Sequence, residues 1–145
     1  MTNTEATLLA AIIGGVIGIV GTYAGAILIA NRNRRIDAGR KLREAFQDEL
    51  VSLEVLPIPG EVDAFDTLNG ASKKHLIAIS EFSCALSRCK RSAFNQAWQQ
   101  YHCYPEPPFT HFLEQYDTRT GSIEQRKKNR ELAIERIKHI LSFTK

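Results

Sequence analysis

The chain has no basic residue before Arg32, and no charge of either sign anywhere in residues 8–30. The uncharged run of 23 residues reads LLAAIIGGVIGIVGTYAGAILIA. At 1.5 Å per residue it reaches roughly 35 Å, enough for a hydrocarbon core of about 30 Å. The missing N-terminal base argues against a cleaved secretory signal, whose first region is positively charged. Ala24-Gly25-Ala26 has the small-x-small form of a cleavage site, but the apolar run continues past it. Cysteine is scarce as well. Cys84, Cys89 and Cys103 are an odd number, which argues against a disulfide framework. After Ala30 no stretch alternates with period two for long enough to make a strand, which removes the β classes. No P-loop, G-x-G-x-x-G or HExxH is present.

The segment directly after the apolar run is basic. Arg32, Arg34, Arg35, Arg40, Lys41 and Arg43 lie in residues 31–43 against one acid, Asp37, and only Glu5 precedes the run. Lys and Arg within about 15–20 residues of a span stay on the cytoplasmic side. The predicted order is a short outer N-terminus (1–7), a transmembrane helix (8–30) and a basic juxtamembrane segment (31–43). A cytosolic domain (44–145) completes it. The six basic residues are expected to contact anionic lipid headgroups.

The membrane helix is sorted by size. At 100° per residue Ala11, Gly14, Gly18, Gly21 and Gly25 fall on one stripe, while Leu9, Ile13, Val16, Val20, Tyr23 and Ile27 fall opposite. Glycine weakens a lone helix but lets two backbones approach closely. The stripe therefore predicts self-association, with another copy of the chain as partner in a closed dimer or ring. The period near 3.5 suits a left-handed crossing, and the row Ala10, Gly14, Gly18, Thr22 suits a right-handed one.

The remainder reads as helices with a period near 3.6. Leu42, Phe46, Glu49/Leu50 and Leu53 make one face of a helix running on from the span to about Leu56, weakened at Gly39 and stopped by Pro57-Ile58-Pro59-Gly60. A second helical region starts near Glu61 and is expected to break at Asn69-Gly70, with Ser72 capping its restart. Its apolar face is Leu76, Ile79, Phe82/Ser83 and Leu86. A third helix carries Phe94, Ala97, Trp98 and Tyr101, with Trp98 expected in the core. Tyr104-Pro-Glu-Pro-Pro108 is a loop, followed by a short helix with Phe109, Phe112, Leu113 and Tyr116. Asp117 to Gly121 is a turn, and Ser122 caps a last helix with Ala133, Ile137, Ile140 and Leu141. The fold class is all-α: one N-terminal transmembrane helix and a cytosolic antiparallel bundle of about four helices.

No catalytic constellation stands out. Cys84, Cys89, His102 and Cys103 have the spacing C-x4-C then H-C, looser than that of zinc sites, so no metal and no cofactor are expected. Arg136 and His139 are too close for the Arg–His pattern of helical-bundle nucleases, so no enzyme is expected. Arg126, Lys127, Lys128 and Arg130 form a candidate basic patch, and Arg88, Lys90 and Arg91 a second cluster. Glu124, Glu131 and Glu135 interleave with the first of these, which favours a solvated helix face over a nucleic-acid surface.

The glycine-rich span, the Arg-rich junction and the segments KKHLIAISEF, SAFNQAWQQYHCYPE and ELAIERIKHILSF together resemble a group of small bacterial single-pass membrane proteins with a helical tail. The architecture more loosely resembles the membrane accessory proteins of RNA-targeting CRISPR defence systems, which assemble pores. The resemblance implies placement in the bacterial inner membrane. The preferred reading of the whole chain is a homo-oligomer whose cytosolic helical domain senses or binds a protein partner, with a pore, as the looser likeness implies, as one output. A plain anchor or scaffold, and a membrane-tethered nucleic-acid binder, are the competing readings.

Overall fold

The computed structural model describes residues 3–55, 64–102 and 115–145, with side chains described from Gly18 onward except at Ile19. Four helices, α1 (Asn3–Val55), α2 (Ala64–Ala85), α3 (Arg88–His102) and α4 (Ile123–Ser142), follow one another with no strand among the described residues. The chain divides into two compact units, Met1–Arg34 and Arg35–Lys145.

In the first unit α1 presents large apolar side chains all round between residues 20 and 29. Val20, Tyr23 and Ile27 share one face, and Leu28 and Ile29 point about 100° and 200° further round. All five are exposed, Tyr23 and Leu28 at 70% and 69%. A Cβ added at Gly18, Gly21 or Gly25 would meet nothing, so the described part of the glycine stripe faces open space. The Thr22 hydroxyl donates to the Gly18 carbonyl at 2.8 Å. No helix among the described residues is long and apolar enough to cross a membrane. The side chains of residues 8–17 and of Ile19, almost half of the expected span, lie outside the described set.

The second unit is built on the spacing of Ala38, Leu42, Ala45, Phe46, Glu49 and Leu53. These residues form a buried stripe along the last five turns of α1. Leu68, Ile79 and Phe82 of α2, Phe94, Ala97 and Tyr101 of α3, and Ala133, Ile137 and Ile140 of α4 close over it in one core. Contacts give the directions. Gly39 lies beside Phe82, Phe46 on His75, and Glu49 on Lys74, so α2 runs antiparallel to α1. Phe82 against Phe94 and His75 against Tyr101 set α3 antiparallel to α2. Phe94 on Phe143 and Arg136 on the Gln100 carbonyl return α4 along α3.

Polar side chains finish the corners. The Arg91 guanidinium donates to the carbonyls of Ser83 at 2.9 Å and Leu86 at 3.0 Å, tying the first turn of α3 to the corner after α2. The Thr118 hydroxyl accepts from the Ala64 N–H at 3.0 Å at the start of α2. Ser122 caps α4 through the Gln125 N–H at 3.2 Å, as its position in the sequence predicted. The turn before it needs Gly121, which sits at φ 87°.

Three expectations are corrected. First, α2 does not break at Asn69-Gly70, and Ser72 lies inside the helix rather than at a cap. Leu68 and Ala71 are buried on either side, and their burial carries the helix through an exposed glycine that costs about 1 kcal/mol. Second, Leu76 is 51% exposed, and His75 takes the inward position instead. Third, Trp98 is only partly buried, packed against the core rather than in it, and Tyr101 fills the centre. The Pro57–Gly60 stop, the helix start at Glu61, the 104–108 loop and the short helix with Phe109, Phe112 and Leu113 lie outside the described residues. Tyr116 is described in a single 3-10 turn with Gln115, and is fully buried.

Gly39 does not interrupt α1. A Cβ there would stand 3.5 Å from Phe82 Cε2 and 3.5 Å from Thr144 Cβ, ordinary contact distances. Gly39→Ala should therefore gain about 0.5–1 kcal/mol from helix propensity and raise Tm. Gly39→Leu should lower it, because the longer side chain must displace Phe82 or Thr144. Thermal melts followed by circular dichroism distinguish the two signs.

Candidate functional site

The centre of the second unit is polar. His75 is wholly buried and stacks on Phe46 with ring centroids 3.8 Å apart. Its Nδ1 lies 3.1 Å from the Tyr101 hydroxyl, and its Nε2 lies 3.5 Å from Glu49 Oε2. Glu49 Oε1 meets Lys74 Nζ at 3.2 Å, and Lys74 also reaches Asp48 at 3.5 Å. From Tyr101 the chain of contacts continues to α4. The Tyr101 carbonyl accepts from the Tyr116 hydroxyl at 2.9 Å and from Gln115 Nε2 at 3.2 Å. Arg136 in turn donates to the Gln115 side-chain oxygen and the Gln100 carbonyl.

Burial, with Tyr116 and Glu49 adding to it, pushes the Tyr101 hydroxyl well above its ordinary 10.0, so it keeps its proton beside Nδ1. On the other side of the ring Nε2 faces Glu49. Burial pulls His75 down from 6.5 to about 4. Glu49 opposes that fall, and Lys74 adds to it. At neutral pH His75 is a neutral ring between a carboxylate and a phenol. Neither Glu49 Oε2 nor His75 Nε2 completes a well-formed hydrogen bond. Carboxylate, imidazole and hydroxyl stand in the order of a general-base triad. Here the hydroxyl belongs to Tyr101, which is 2% exposed and enclosed against the ring. The arrangement ties α1, α2 and α3 together.

A groove of about 700 Å³ lies between the turn at residues 115–121 and α4, lined among others by Asp117, Gln125, Lys128, Asn129 and Glu135. Burial alone would raise Asp117. Hydrogen bonds from the Thr120 hydroxyl and from the Arg119 backbone and side chain outweigh it and hold the carboxyl below its usual range. The Asp117 carbonyl accepts from Asn129 Nδ2 at 2.7 Å, which pins the turn to α4.

The residues singled out in the sequence divide in the structure. Of the juxtamembrane set, Arg32 and Arg34 are exposed and Arg35 is half-buried. Arg40 pairs with Glu44 at 3.3 Å and Asp37 at 3.9 Å, and Lys41 pairs with Glu81 at 2.9 Å. Arg43 donates to the hydroxyl and the carbonyl of Thr144, both at 2.7 Å. The candidate basic patch of Arg126, Lys127, Lys128 and Arg130 is not one surface. Arg126 holds the Gly121 carbonyl at 3.1 Å, Arg130 holds the Leu53 carbonyl, and Lys127 stands 3.9 Å from Glu131. Lys128 lines the groove. Gly18, Gly21 and Gly25 are open, and the side-chain positions of Ala11 and Gly14 are outside the described set. Cys84 and Cys89 are exposed free thiols, His102 stacks on Trp98 at 4.6 Å, and Cys103 is outside the described residues. Among the described residues no group of three or more His, Cys, Asp and Glu is placed to hold a metal.

The sequence reading missed the His75–Glu49–Tyr101 cluster. Its signal was present: Glu49 falls in the buried period of α1 between Phe46 and Leu53, and His75 in that of α2 between Ala71 and Ala78. No family model matches the chain, and no curated protein or solved structure matches it.

Proposed function

We propose that the chain is a single-pass membrane protein of the bacterial inner membrane. It self-associates through the glycine face of α1 and holds a helical interaction module on the cytosolic side. One observation carries the reading: the described apolar side chains of residues 20–29 point out all round a helix with nothing over them. A helix that is apolar on every side needs lipid or other helices around it. The uncharged run of 23 residues supplies the length, and the six basic residues after it supply the direction. Arg32 and Arg34, exposed just beyond the run, are suited to lipid phosphate.

Between an anchor and a pore, the Thr22 hydroxyl favours the anchor. It is the one hydroxyl near the middle of the run, apart from Tyr23, and it is already satisfied by the Gly18 carbonyl. A packed, lipid-embedded oligomer fits such a surface better than a polar lumen does. The module is then a docking platform for a cytosolic protein, with no cofactor.

Membrane fractionation with alkaline carbonate extraction tests the anchor. The protein should stay in the pellet, and a reporter fused to its C-terminus should be active only in the cytosol. Release by carbonate, or a reporter active only in the periplasm, overturns the reading. Self-association is tested by Gly18→Ile, which puts a branched side chain where close backbone contact is expected. It should weaken association in a membrane reporter assay, while Val20→Ile on the opposite face should not. Equal behaviour of the two removes the glycine face as the contact.

A further inference from the structure

The end of the helical unit where the chain enters at Arg35 is built differently from the opposite end. The antiparallel arrangement gathers three segments there: the start of the α1 stripe, the α2–α3 corner at residues 84–90, and the end of α4. Gly39 against Phe82 and Thr144 records that they meet. The acids at this end are Asp37, Glu44 and Glu81. Arg40 and Lys41 already pair with them. Arg43 and Arg91 give hydrogen bonds to carbonyls and keep their full charge. Arg88 and Lys90 are exposed and make no ion pair among the described residues. The first turn of α3 starts at Arg88, so the positive end of its helix dipole adds to the field.

Away from this end the bases are matched in number: the described residues of the unit hold nine Lys and Arg there against eight Asp and Glu. Ion pairs run from Lys74 to Glu49, Lys127 to Glu131, Lys138 to Glu54, and Arg119 to Asp66 and Asp117. The imbalance is therefore local to the entry end, and a cluster of bases without acids to match suits an anionic lipid surface. Arg35 follows Arg34 in the chain, so covalent connection alone keeps this end within reach of the surface that takes residues 20–29.

We propose that the α2–α3 corner, through Arg88 and Lys90, docks the helical unit onto the anionic lipid headgroups of the membrane that anchors the chain. This rests on the anchor reading above. It goes further, because it assigns a second, reversible contact that sets the unit down on the bilayer.

Cys84, exposed at the corner, is a native reporter. The full chain with Cys89→Ser and Cys103→Ser is labelled at Cys84 with a fluorophore and placed in nanodiscs. One set of discs is phosphatidylcholine alone, and the other has equal parts phosphatidylcholine and phosphatidylglycerol. Both contain a lipid with a headgroup spin label as quencher. Docking predicts strong quenching only in the anionic discs, relieved by raised salt. Neutralising both bases with Arg88→Gln and Lys90→Gln should lower the docked-to-undocked ratio about thirtyfold, at roughly a factor of five per charge. Lys127→Gln with Lys128→Gln on α4 should leave it unchanged. Equal quenching in the two discs, or quenching that ignores the Arg88 and Lys90 substitutions, overturns the docking. Retention in the discs is read separately by size-exclusion chromatography. A chain that is retained but undocked defeats this proposal alone, and a chain that is not retained defeats the anchor reading as well.

Discussion

Phe46→Ala should cost the helical unit about 3–5 kcal/mol, the usual range for an aromatic truncated in a core. Phe46 has no exposed surface, and it touches two helices at once. It stacks on His75 of α2 at 3.8 Å and meets Tyr101 of α3 edge-on at 5.8 Å. Truncation leaves a cavity beside a buried imidazole. A single domain has only about 5–15 kcal/mol to lose. Trp98→Ala removes a larger side chain and should still cost less, because Trp98 is only partly buried and lies at the margin of the same core. Urea unfolding of the two variants and the parent, followed by circular dichroism, gives the order. A Phe46→Ala protein as stable as the parent would mean that the stack does not hold α1 to α2.

The same pair of residues marks how far the sequence could be read. Periodicity alone located the faces of α3 and α4, because Phe94, Ala97 and Tyr101, and then Ala133, Ile137 and Ile140, are apolar and regularly spaced. Ser122 declared the start of α4 because a hydroxyl before a polar first turn has few other uses. In α2 the rule failed at one position. Leu76 and His75 are adjacent, and hydrophobicity favours the leucine as the inward residue. His75 goes inward because its partners, Glu49 and the Tyr101 hydroxyl, are 26 residues away from it in the chain on opposite sides. A buried polar group is legible only together with the groups that satisfy it, and pairing across three helices leaves no local trace. The missed continuity at Asn69-Gly70 has the same origin, since local propensity was overruled by the burial of Leu68 and Ala71. The Arg43–Thr144 and Arg130–Leu53 contacts were hidden for a simpler reason. An arginine in a basic run reads as surface charge until the carbonyl it reaches is known.

Acid should destabilise the helical unit between about pH 6.5 and pH 4, and His75 should be the cause. The groups that face this ring are Glu49 from α1, Lys74 beside it on α2 and Tyr101 from α3. Its pKa is about 4 in the folded protein against 6.5 in the free side chain, because burial penalises the imidazolium more than Glu49 favours it. Above about pH 6.5 the ring is neutral in both states and contributes no pH dependence. Below that the unfolded chain takes up a proton that the folded chain refuses, so stability falls with each step down to about pH 4 and this contribution then levels off. The whole loss is on the order of 3 kcal/mol at ~1.4 kcal/mol per unit. Urea midpoints measured between pH 7 and pH 4 would show it as a slope that His75→Leu flattens, whatever that variant does to stability at neutral pH. The slope is the diagnostic quantity, because a purely structural loss moves all the midpoints together. An unchanged slope in His75→Leu would mean that the imidazole does not bring the acid sensitivity, and that the cluster of Glu49, His75 and Tyr101 admits the charged ring without penalty.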